Sequence, residues 1–485
     1  MRLRKLIGSF EDAQVFNFVD RNITEITSDS RKVHPGAVFV AVKGTRADGH
    51  DFIEDAIARG AQVVVAQEAT NVPQDICLVT AGNSRHVLAV MSDVLMDHPS
   101  GKVKVIGVTG TNGKTTVAYL LRSILQVAGR KVGLLGTINH EFCGRVVPAG
   151  NTTPGAEELQ AYLAEMAADG VEYAVIEVSS HALDQYRVDA VDFACAVFTN
   201  ISPEHLDYHK TFDAYLNAKG KLFRYLPKES TAVLNADDEH SKTLAQRTKG
   251  SRMWYGIEAE AQVRGRLESA GLDGSTIELT TPVGDVTIQT ALIGVHNVYN
   301  ILAAASAAIS QGIALDEMAA GIQTLEGVPG RLERIREARD FTAFVDYAHT
   351  DDGLRNALAT LGPLAEGRLI VVFGCGGDRD RAKRARMGSV AQDLADVVVV
   401  TSDNPRTEVP RAIINEILTG TSPSDTLFVE PDRRKAIEAA CRLAEASDVV
   451  LVAGKGHETY QVLEDTVVPF DDREVIREFV AGERP

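Results

Sequence analysis

The 485-residue chain carries 67 acidic against 50 basic side chains, for a formal net charge of -17, which argues against DNA or RNA as a partner. Hydrophobic residues make up 45% of the chain and charged residues 24%, an ordinary globular composition for about three domains. The five cysteines are scattered without a C-x-x-C pair, which predicts reduced thiols and a cytoplasmic location.

The first segment predicts a small α/β domain over residues 1–102. An alternating strand over 37–42 leads through a Gly/Asp turn into an amphipathic helix over 51–59 and a second strand over 62–66. The stretch MDHPSGK, residues 96–102, contains the Pro, Gly and Ser of a domain boundary. Neither a signal peptide nor an 18-residue apolar run occurs in the sequence, so we expect no membrane span.

A phosphate-binding loop opens the second segment, predicted over residues 103–330. An apolar strand runs into GTNGKTT and then into an amphipathic helix. Glycines allow backbone amides to surround a phosphate, and the helix N-terminus favours negative charge. The spacing is G-x-x-G-K-T, because Val108 stands where the usual motif has its first glycine. We expect the loop to bind a nucleotide through Gly110, Thr111, Asn112, Gly113, Lys114, Thr115 and Thr116.

Further apolar strands over 173–180, 193–202 and 231–238 alternate with helices, which predicts a mostly parallel sheet. Ligands collect at the carboxyl ends of such strands. We therefore expect the polar residues there to share a crevice with Lys114: Glu177, Ser179, Asn200, Asn235 and Asp237. Thr115 and Glu177 offer the oxygen ligands that magnesium prefers. The nearby His205, Asp207 and His209 fit either an ion site or loop packing.

The third segment, residues 331–485, contains four apolar strands that each end in a loop rich in glycine and charge. In DNPR, the guanidinium of Arg406 beside Pro405 suits bidentate recognition of a carboxylate. In GKGHE, Lys455 and Glu458 place a cation and an anion at a neighbouring strand end. These loops predict a binding face, with a surface ion-pair network as the alternative.

Taken in order, these motifs resemble the Mur ligase family, the ATP-dependent amide ligases of peptidoglycan synthesis. The resemblance runs from about residue 24 to 475 and rests on eleven motifs: GTNGKTT, NTT, EVSSHAL, FTNISPEHLDYH, NADD, HNVYN, GRLE, DYAHT, FGCGGDRD, DNPRTE and GKGHETYQ. It implies an α/β fold of three domains: a small N-terminal uridine-binding domain, a central parallel-sheet domain resembling P-loop ATPases, and a Rossmann-like C-terminal domain.

The resemblance also implies the reaction. Family members transfer the γ-phosphate of ATP to a carboxylate, and an amine then attacks the acyl phosphate. Here the motifs imply addition of meso-diaminopimelate to the D-glutamate γ-carboxylate of a UDP-linked muramoyl dipeptide. The implied catalytic residues are Lys114, Glu177, His205 and Lys219, with magnesium near Thr115, Glu177 and His205. Lys219 matches a lysine that carbon dioxide converts to a carbamate, a further magnesium ligand.

The binding residues carried over by motif fall into three groups. Those of the UDP-muramoyl dipeptide are Ser28, Ser30, Thr45, Arg46, Ala47, Asn151, Thr152, Thr153, Ser179, Gln185 and Arg187. Further ATP contacts are Asn297, Asn300, Arg331 and Asp346. Those of diaminopimelate are Arg379, Asp403, Asn404, Pro405, Arg406, Gly454 and Glu458. We expect a monomer that acts on small molecules.

Three alternatives remain at this stage. A related ligase would add L-lysine or another amino acid, and an enzyme of folate-polyglutamate synthesis is a more distant alternative. Arg406 and the uridine-type first segment argue against both. A P-loop switch would hydrolyse ATP and would need no carboxylate pocket. A catalytically inactive binding scaffold would have no need to retain its catalytic residues, which are Lys114, Glu177, His205 and Lys219.

Overall fold

The computed structural model describes residues 1–10, 13–44 and 47–482. By its internal contacts the chain divides into two compact units. The first comprises Met1–Arg264, Thr281–Gly284 and Asn300–Gly321, and the second comprises Gly265–Thr280, Asp285–Tyr299 and Ile322–Pro485. The α/β class is confirmed, while the three-domain boundaries at 102 and 330 stay a prediction.

The first unit begins with a five-stranded sheet. Its elements are α1 (Leu3–Ile7), β1 (Gln14–Phe16), β2 (Glu25–Thr27), β3 (Ala37–Val40), α2 (Ile53–Ala58), β4 (Val63–Ala66), β5 (Cys77–Thr80) and α3 (Ser84–Leu95). The strand order is β1-β5-β4-β3-β2, and β2 to β5 run parallel. The strands and helix predicted over 37–66 are confirmed. Short turns of 3-10 helix precede α2 and follow α3.

The larger sheet of the first unit carries the phosphate loop. Its elements are β6 (Lys104–Thr109), α4 (Lys114–Val127), β7 (Val132–Leu135), β8 (Asn139–Phe142), β9 (Arg145–Pro148), α5 (Ala156–Ala168), β10 (Tyr173–Glu177), α6 (Ser180–Asp184), β11 (Phe193–Phe198), α7 (Leu206–His209), α8 (Phe212–Arg224), β12 (Thr231–Asn235), α9 (Ser241–Ala245) and β13 (Ser251–Gly256). From β13 to β7 the order is β13-β12-β11-β6-β10-β7, all parallel. The strand β6 therefore lies between β10 and β11, so the loops that follow them flank the phosphate loop.

The next elements along the chain are divided between the units. They are β14 (Val263–Gly271), β15 (Gly274–Thr281), β16 (Gly284–Thr290), α10 (Val295–Ser310) and α11 (Leu315–Thr324). The sequence analysis did not predict the three strands. None of the helices in the described part of the chain has the length and apolarity needed to cross a membrane.

The second unit is built on a six-stranded sheet and one hairpin. Its remaining elements are β17 (Glu333–Arg334), β18 (Thr342–Asp346), α12 (Asp351–Leu361), β19 (Leu369–Phe373), α13 (Ala382–Leu394), β20 (Val397–Val400), α14 (Pro410–Leu418), β21 (Leu427–Val429), α15 (Arg433–Leu443), β22 (Val449–Ala453), β23 (Tyr460–Leu463), β24 (Thr466–Pro469) and α16 (Asp472–Gly482). The order is β17-β18-β22-β19-β20-β21, and only β17 is antiparallel to its neighbour.

Both faces of this sheet are covered, which explains the continuous apolar strands. Along β19, Val371 and Phe373 belong to one hydrophobic cluster, and Ile370 and Val372 belong to another. Side chains alternate between the faces of a strand, so two covered faces require apolar residues at every position. Because neighbouring strands here are parallel, the carboxyl ends of β18, β22, β19 and β20 lie side by side at one edge of the sheet. Each of them leads into one of the charged loops.

A buried ion pair ties α15 to the ends of two of these strands. Arg433 and Asp472 are both fully buried and paired at 2.7 Å. The same guanidinium donates to the carbonyl oxygens of Ser402 at 3.2 Å and Ala453 at 3.0 Å. These two carbonyls immediately precede the DNPR and GKGHE loops, so Arg433 fixes the backbone at the first residue before each loop.

We predict that Arg433→Met lowers the free energy of unfolding by about 3–5 kcal/mol, because Asp472 would remain buried without a cation. The matched control is Arg434→Met, on the same helix, where the pair with Glu478 is about half exposed. That change should cost no more than about 1 kcal/mol. Urea unfolding of both variants measures the difference, and equal losses would contradict the role given to Arg433.

Candidate active site

The phosphate loop occupies residues 110–113, between the end of β6 and the first residue of α4. Two of its residues require glycine, with φ of +154° at Gly110 and +86° at Gly113. A Cβ on Gly110 would lie 1.8 Å from Thr199 Oγ1, and one on Gly113 would lie 2.3 Å from Asn300 Oδ1. A side chain at either position would therefore collide with Thr199 or Asn300, so the conformation of the loop requires glycine at both.

The segment after β11 fixes the loop from one side. Asn112 N donates to Asn200 Oδ1 at 3.0 Å, and Asn200 Nδ2 donates to the carbonyl oxygen of Asn112 at 3.2 Å. Thr199 Oγ1 donates to the same carbonyl oxygen at 2.6 Å. Asn200 thus lies against the phosphate loop, as its position at a strand end predicted. Asn235 and Asp237 instead bind backbone groups of neighbouring segments.

A buried carboxylate lies on the other side of the loop. Glu177 is fully buried, and its Oε2 accepts hydrogen bonds from Thr115 Oγ1 and Thr137 Oγ1, both at 2.9 Å. Thr137 N donates to Oε1, also at 2.9 Å. The sequence analysis missed Thr137, although its position after β7 marks it as a strand-end residue. These hydroxyl and carboxylate oxygens suit magnesium, which binds few protein groups and completes its shell with phosphate and water.

Two lysines share one backbone carbonyl in the loop. Lys114 Nζ donates to the carbonyl oxygen of Gly110 at 2.9 Å and to that of Thr111 at 2.8 Å. Lys219 Nζ, from α8, donates to the same Gly110 oxygen at 2.6 Å. Lys219 is only 1% exposed, and burial together with the charge of Lys114 lowers its pKa well below the usual range. A buried amine with a lowered pKa is a nucleophile, which an exposed lysine at neutral pH is not.

The histidines near the loop divide into two roles. His205 has left-handed backbone geometry at the start of α7, and its side chain is 45% exposed. The buried part of its ring and repulsion from Lys114 and Lys219 lower its pKa, although the neighbouring Glu204 acts in the opposite direction. His209 is buried and its Nε2 lies 3.0 Å from Ser180 Oγ, so it packs the loop. Among the described residues, no three His, Cys, Asp or Glu side chains form a metal cluster of their own.

A second network connects Glu177 to the residues expected to bind a muramoyl peptide. Thr153 Oγ1 donates to the carbonyl oxygen of Glu177 at 2.7 Å and accepts a bond from Ser179 N at 3.1 Å. Arg187 Nη1 donates to the carbonyl oxygen of Thr153, and its Nη2 donates to Gln185 Oε1, both at 2.9 Å. The structure thus brings four of the predicted residues together. Nearby, Thr152 Oγ1 lies 3.1 Å from Thr137 Oγ1, and Asn151 is exposed.

The residues expected at the uridine end lie in the five-stranded sheet domain. Ser28 donates through Oγ to Glu157 Oε1 at 2.7 Å, and Ser30 is buried. Ala47 is exposed. The expected contacts Thr45 and Arg46 lie outside the described residues.

The residues expected to contact adenosine lie in different places. Asn300 belongs to the first unit, where it contacts Gly113 as described above. In the second unit, Asn297 and Arg331 line a cavity of about 300 Å³. The guanidinium carbon of Arg331 lies 4.7 Å from the Tyr347 ring centroid. Burial raises the pKa of Asp346, whose two oxygens accept the backbone amides of Leu332 and Ala348.

The DNPR and GKGHE loops of the second unit meet through side chains. Asn404 Nδ2 donates to Glu458 Oε2 at 2.9 Å, and Lys455 Nζ reaches the same oxygen at 2.9 Å. Gly454, with φ +113°, packs against Asp403, because a Cβ there would lie 2.8 Å from Asp403 Oδ2. The strands that lead into these loops, β20 and β22, are not neighbours as the sequence predicted, because β19 lies between them. The two loops nevertheless form one connected cluster.

Arg406 enters this cluster from an unusual backbone position. Its φ is +52°, and its Nη1 donates to the carbonyl oxygen of Gly377 at 2.7 Å. The β23–β24 hairpin fixes its backbone, because Arg406 N donates to the carbonyl oxygen of Val462 and Glu464 N donates to that of Arg406. Arg379 is exposed in the loop after β19. The sequence analysis missed this hairpin and two buried arginines, Arg384 and Arg433, which support the loops.

Family models match all three parts of the chain. The Mur ligase family catalytic domain matches residues 22–99, the Mur ligase middle domain residues 108–308, and the Mur ligase glutamate ligase domain residues 330–456.

Individual relatives match along the full length. The UDP-N-acetylmuramoyl-L-alanyl-D-glutamate--2,6-diaminopimelate ligase of Geobacillus thermodenitrificans is 43% identical, with 100% of both chains covered. The ligase of the same name from Solibacter usitatus is 44% identical over 95% of this chain and 94% of its own. A solved structure with that name has a TM-score of 0.71 at 33% identity and covers 95% of both chains.

We predict that Gly113→Ala weakens ATP binding at least about tenfold, as expected for losing one hydrogen bond to a charged group. The added Cβ would lie 2.3 Å from Asn300 Oδ1, so the loop and Asn300 would have to move apart. The control is Gly129→Ala, which has φ +72° but nothing within 4 Å of the new Cβ. Both variants carry about 1–2 kcal/mol of backbone strain, so the control separates strain from the clash. Calorimetric titration with ATP measures the affinity, and equal losses in both variants would reject a phosphate role for the loop.

Proposed function

The chain belongs to the Mur ligase family, and we propose that it joins meso-diaminopimelate to UDP-N-acetylmuramoyl-L-alanyl-D-glutamate at the expense of ATP. Relatives that are 43–44% identical over nearly the full length carry this activity in their names. The observation that carries the assignment within the molecule is the phosphate loop with two lysines on the Gly110 carbonyl and Glu177 beside Thr115.

The reaction has two steps. An oxygen of the D-glutamate γ-carboxylate attacks the γ-phosphorus of ATP, the bond between that phosphorus and the β–γ bridging oxygen breaks, and ADP leaves with the electron pair. An amine of diaminopimelate then attacks the carbonyl carbon of the acyl phosphate, loses a proton and expels phosphate. Both steps depend on positioning and charge neutralisation more than on protein nucleophiles. A site rich in cations and hydroxyl groups suits this chemistry.

We assign the phosphates of ATP to the amides of residues 110–116 and to Lys114. In the structure Lys114 donates to the carbonyls of Gly110 and Thr111, and the phosphates would replace these acceptors. Thr115, Glu177 and His205 would hold magnesium, which neutralises phosphate charge when bound. We assign the adenosine to Asn297, Asn300, Arg331 and Asp346.

The dipeptide substrate is assigned to two groups of residues. Thr153, Ser179, Gln185 and Arg187 form one hydrogen-bonded network, and the cationic end of that network, Arg187, suits a carboxylate of the peptide. Asn151 and Thr152 border the same network. We assign the uridine end to Ser28, Ser30 and the segment 45–47.

Diaminopimelate is assigned to the cluster formed by the DNPR and GKGHE loops. Arg406 and Arg379 would pair with its carboxylates, with Asn404 nearby. Glu458, Asp403 and the Gly454 backbone would receive the ammonium at the end remote from the new amide. Lysine lacks the second carboxylate, so it would leave Arg406 without its anion. Losing one charged hydrogen bond corresponds to about ten- to a hundred-and-fifty-fold discrimination.

We propose further that Lys219 is carbamoylated. The neutral amine attacks the carbon of carbon dioxide, a carbamate forms, and the displaced proton leaves to solvent. The lowered pKa of Lys219 supports this step, because only the unprotonated amine reacts. The carbamate would add two oxygen ligands beside Thr115 and Glu177. We also propose that the protein is a cytoplasmic monomer with three domains, bounded at residues 102 and 330.

The ligase assignment predicts ADP release and an amide product when ATP, the UDP-linked dipeptide and meso-diaminopimelate are combined. L-lysine tested in parallel should give less than about a tenth of that rate, since Arg406 would remain unpaired. Coupled ADP detection and mass spectrometry of the product measure both. Equal turnover of lysine would reject the role of Arg406. ATP hydrolysis without any amide product would reject the ligase assignment in favour of a nucleotide-driven switch.

The carbamate assignment predicts a carbamate carbon resonance when the protein is incubated with ¹³C-bicarbonate. Acidification should remove the resonance, because protonation of Lys219 below its pKa withdraws the reactive amine. Lys219→Met should abolish the signal together with most of the activity. Lys221→Met is the control, since Lys221 lies two residues along the same helix and pairs with Asp184 instead. A signal that survives Lys219→Met would place the carbamate elsewhere.

A further inference from the structure

One buried lysine of the second unit has no part in the chemistry described so far. Lys455, in the GKGHE loop, is fully buried, and its Nζ contacts Asn404 Oδ1 at 3.1 Å and Glu458 Oε2 at 2.9 Å. A fully buried ammonium group is costly to remove from water unless hydrogen bonds and an anion compensate it. Burial of the Lys455 ammonium group therefore requires the hydrogen bonds to Asn404 and Glu458, and the orientation of these two side chains depends on Lys455.

The direction of each hydrogen bond in this network is determined by donor chemistry. An ammonium group only donates, so the Asn404 atom facing Lys455 must be the amide oxygen. Val462 N donates to that same oxygen at 3.0 Å. The amide nitrogen of Asn404 is thereby turned toward Glu458, where it donates to Oε2 at 2.9 Å.

Both donors converge on one oxygen of Glu458. Within the described chain, the side-chain hydrogen bonds of Glu458 end on Oε2, and none ends on Oε1. The side chain is 17% exposed although its partners Lys455 and Asn404 are buried. The carboxylate is thus held by one oxygen, which leaves the other available to a ligand carrying an ammonium group.

We propose that Lys455 is a positioning residue that turns Oε1 of Glu458 toward the distal ammonium group of the amino-acid substrate. This proposal rests on the function assigned above. Lys455 neutralises Oε2 and fixes the Asn404 amide, so the incoming ammonium group meets an oriented carboxylate. Without Lys455, the carboxylate would lose the ammonium group that pairs with it at 2.9 Å and could turn both oxygens toward other donors.

The backbone of the two loops does not depend on Lys455. Arg433 already binds the carbonyl oxygens of Ser402 and Ala453, which precede the loops. The Gln461 side chain also donates to the carbonyl oxygen of Asp403 at 2.6 Å. Loss of Lys455 should therefore disturb the orientation of the Asn404 and Glu458 side chains while the loops keep their course.

The test is a double-mutant cycle of Lys455→Met, Glu458→Gln and the combined variant, with KM measured for each substrate. We expect either single change to raise KM for diaminopimelate about tenfold or more, the loss of one charged hydrogen bond. The KM values for ATP and the UDP-linked dipeptide should stay within about twofold. If Lys455 acts through Glu458, the combined variant should be no worse than Glu458→Gln, because coupled residues are not additive.

Two results would overturn the proposal. One is an unchanged KM for diaminopimelate in Lys455→Met, and the other is multiplication of the two single effects in the combined variant. Should Lys455→Met fail to fold, the combined variant still decides, because it buries no unpaired charge and is compared with Glu458→Gln alone. A further rise of KM in that comparison would also overturn the role of Lys455.

The matched control is Arg368→Met, which removes a cation of the same unit at the opposite strand ends. Arg368 pairs with Asp448 at 2.7 Å, next to the first residue of β22. Its loss should leave all three KM values unchanged. Wild-type protein is assayed first: absence of an amide product there rejects the proposed function, whereas an active wild type makes the variants a test of Lys455 alone.

Discussion

The carbonyl oxygen of Gly110 accepts hydrogen bonds from two lysine side chains, and the chemistry of the first unit depends on that convergence. Burial and the charge of Lys114 disfavour the protonated form of Lys219, so the carbonyl holds the Lys114 ammonium group beside a neutral amine. Gly110 has a φ of +154° and no side chain, which lets Thr199 approach it closely, and the segment Thr199–Asn200 fixes the loop by hydrogen bonds to Asn112. The result is a site whose positive charge is in place before a polyphosphate binds.

In the second unit, buried ion pairs hold the charged loops in place. Its loops must hold charged groups at the ends of strands whose cores are entirely apolar. Buried arginines meet that need: Arg433 with Asp472, and Arg384 with Glu408 and Glu416. Removing one partner of such a pair lowers the stability of the fold more than replacing both partners by apolar residues would. These pairs therefore define the loop conformations more strongly than the surface ion pairs do.

Features encoded by local sequence patterns could be predicted, whereas features that depend on contacts between distant residues could not. The parallel sheets and the phosphate loop were predictable, because apolar runs and glycine spacing are local signals. The burial of Lys219 could not be predicted, because the pattern DAYLNAKGKLF is typical of a helix with solvent-exposed lysines. Only the family resemblance indicated a role for Lys219. The β23–β24 hairpin was missed because its strands are short and partly exposed. Thr137 and Arg433 act through contacts distant in sequence, which no local pattern encodes.

The β23–β24 hairpin determines where Arg406 lies. Arg406 is held by main-chain hydrogen bonds to Val462 and Glu464, so its position follows the register of β23. A change in the length of the turn between β23 and β24 that shifts this register would therefore move Arg406 without altering any side chain of the cluster. The place of the guanidinium thus depends on a surface turn as well as on the residue at position 406.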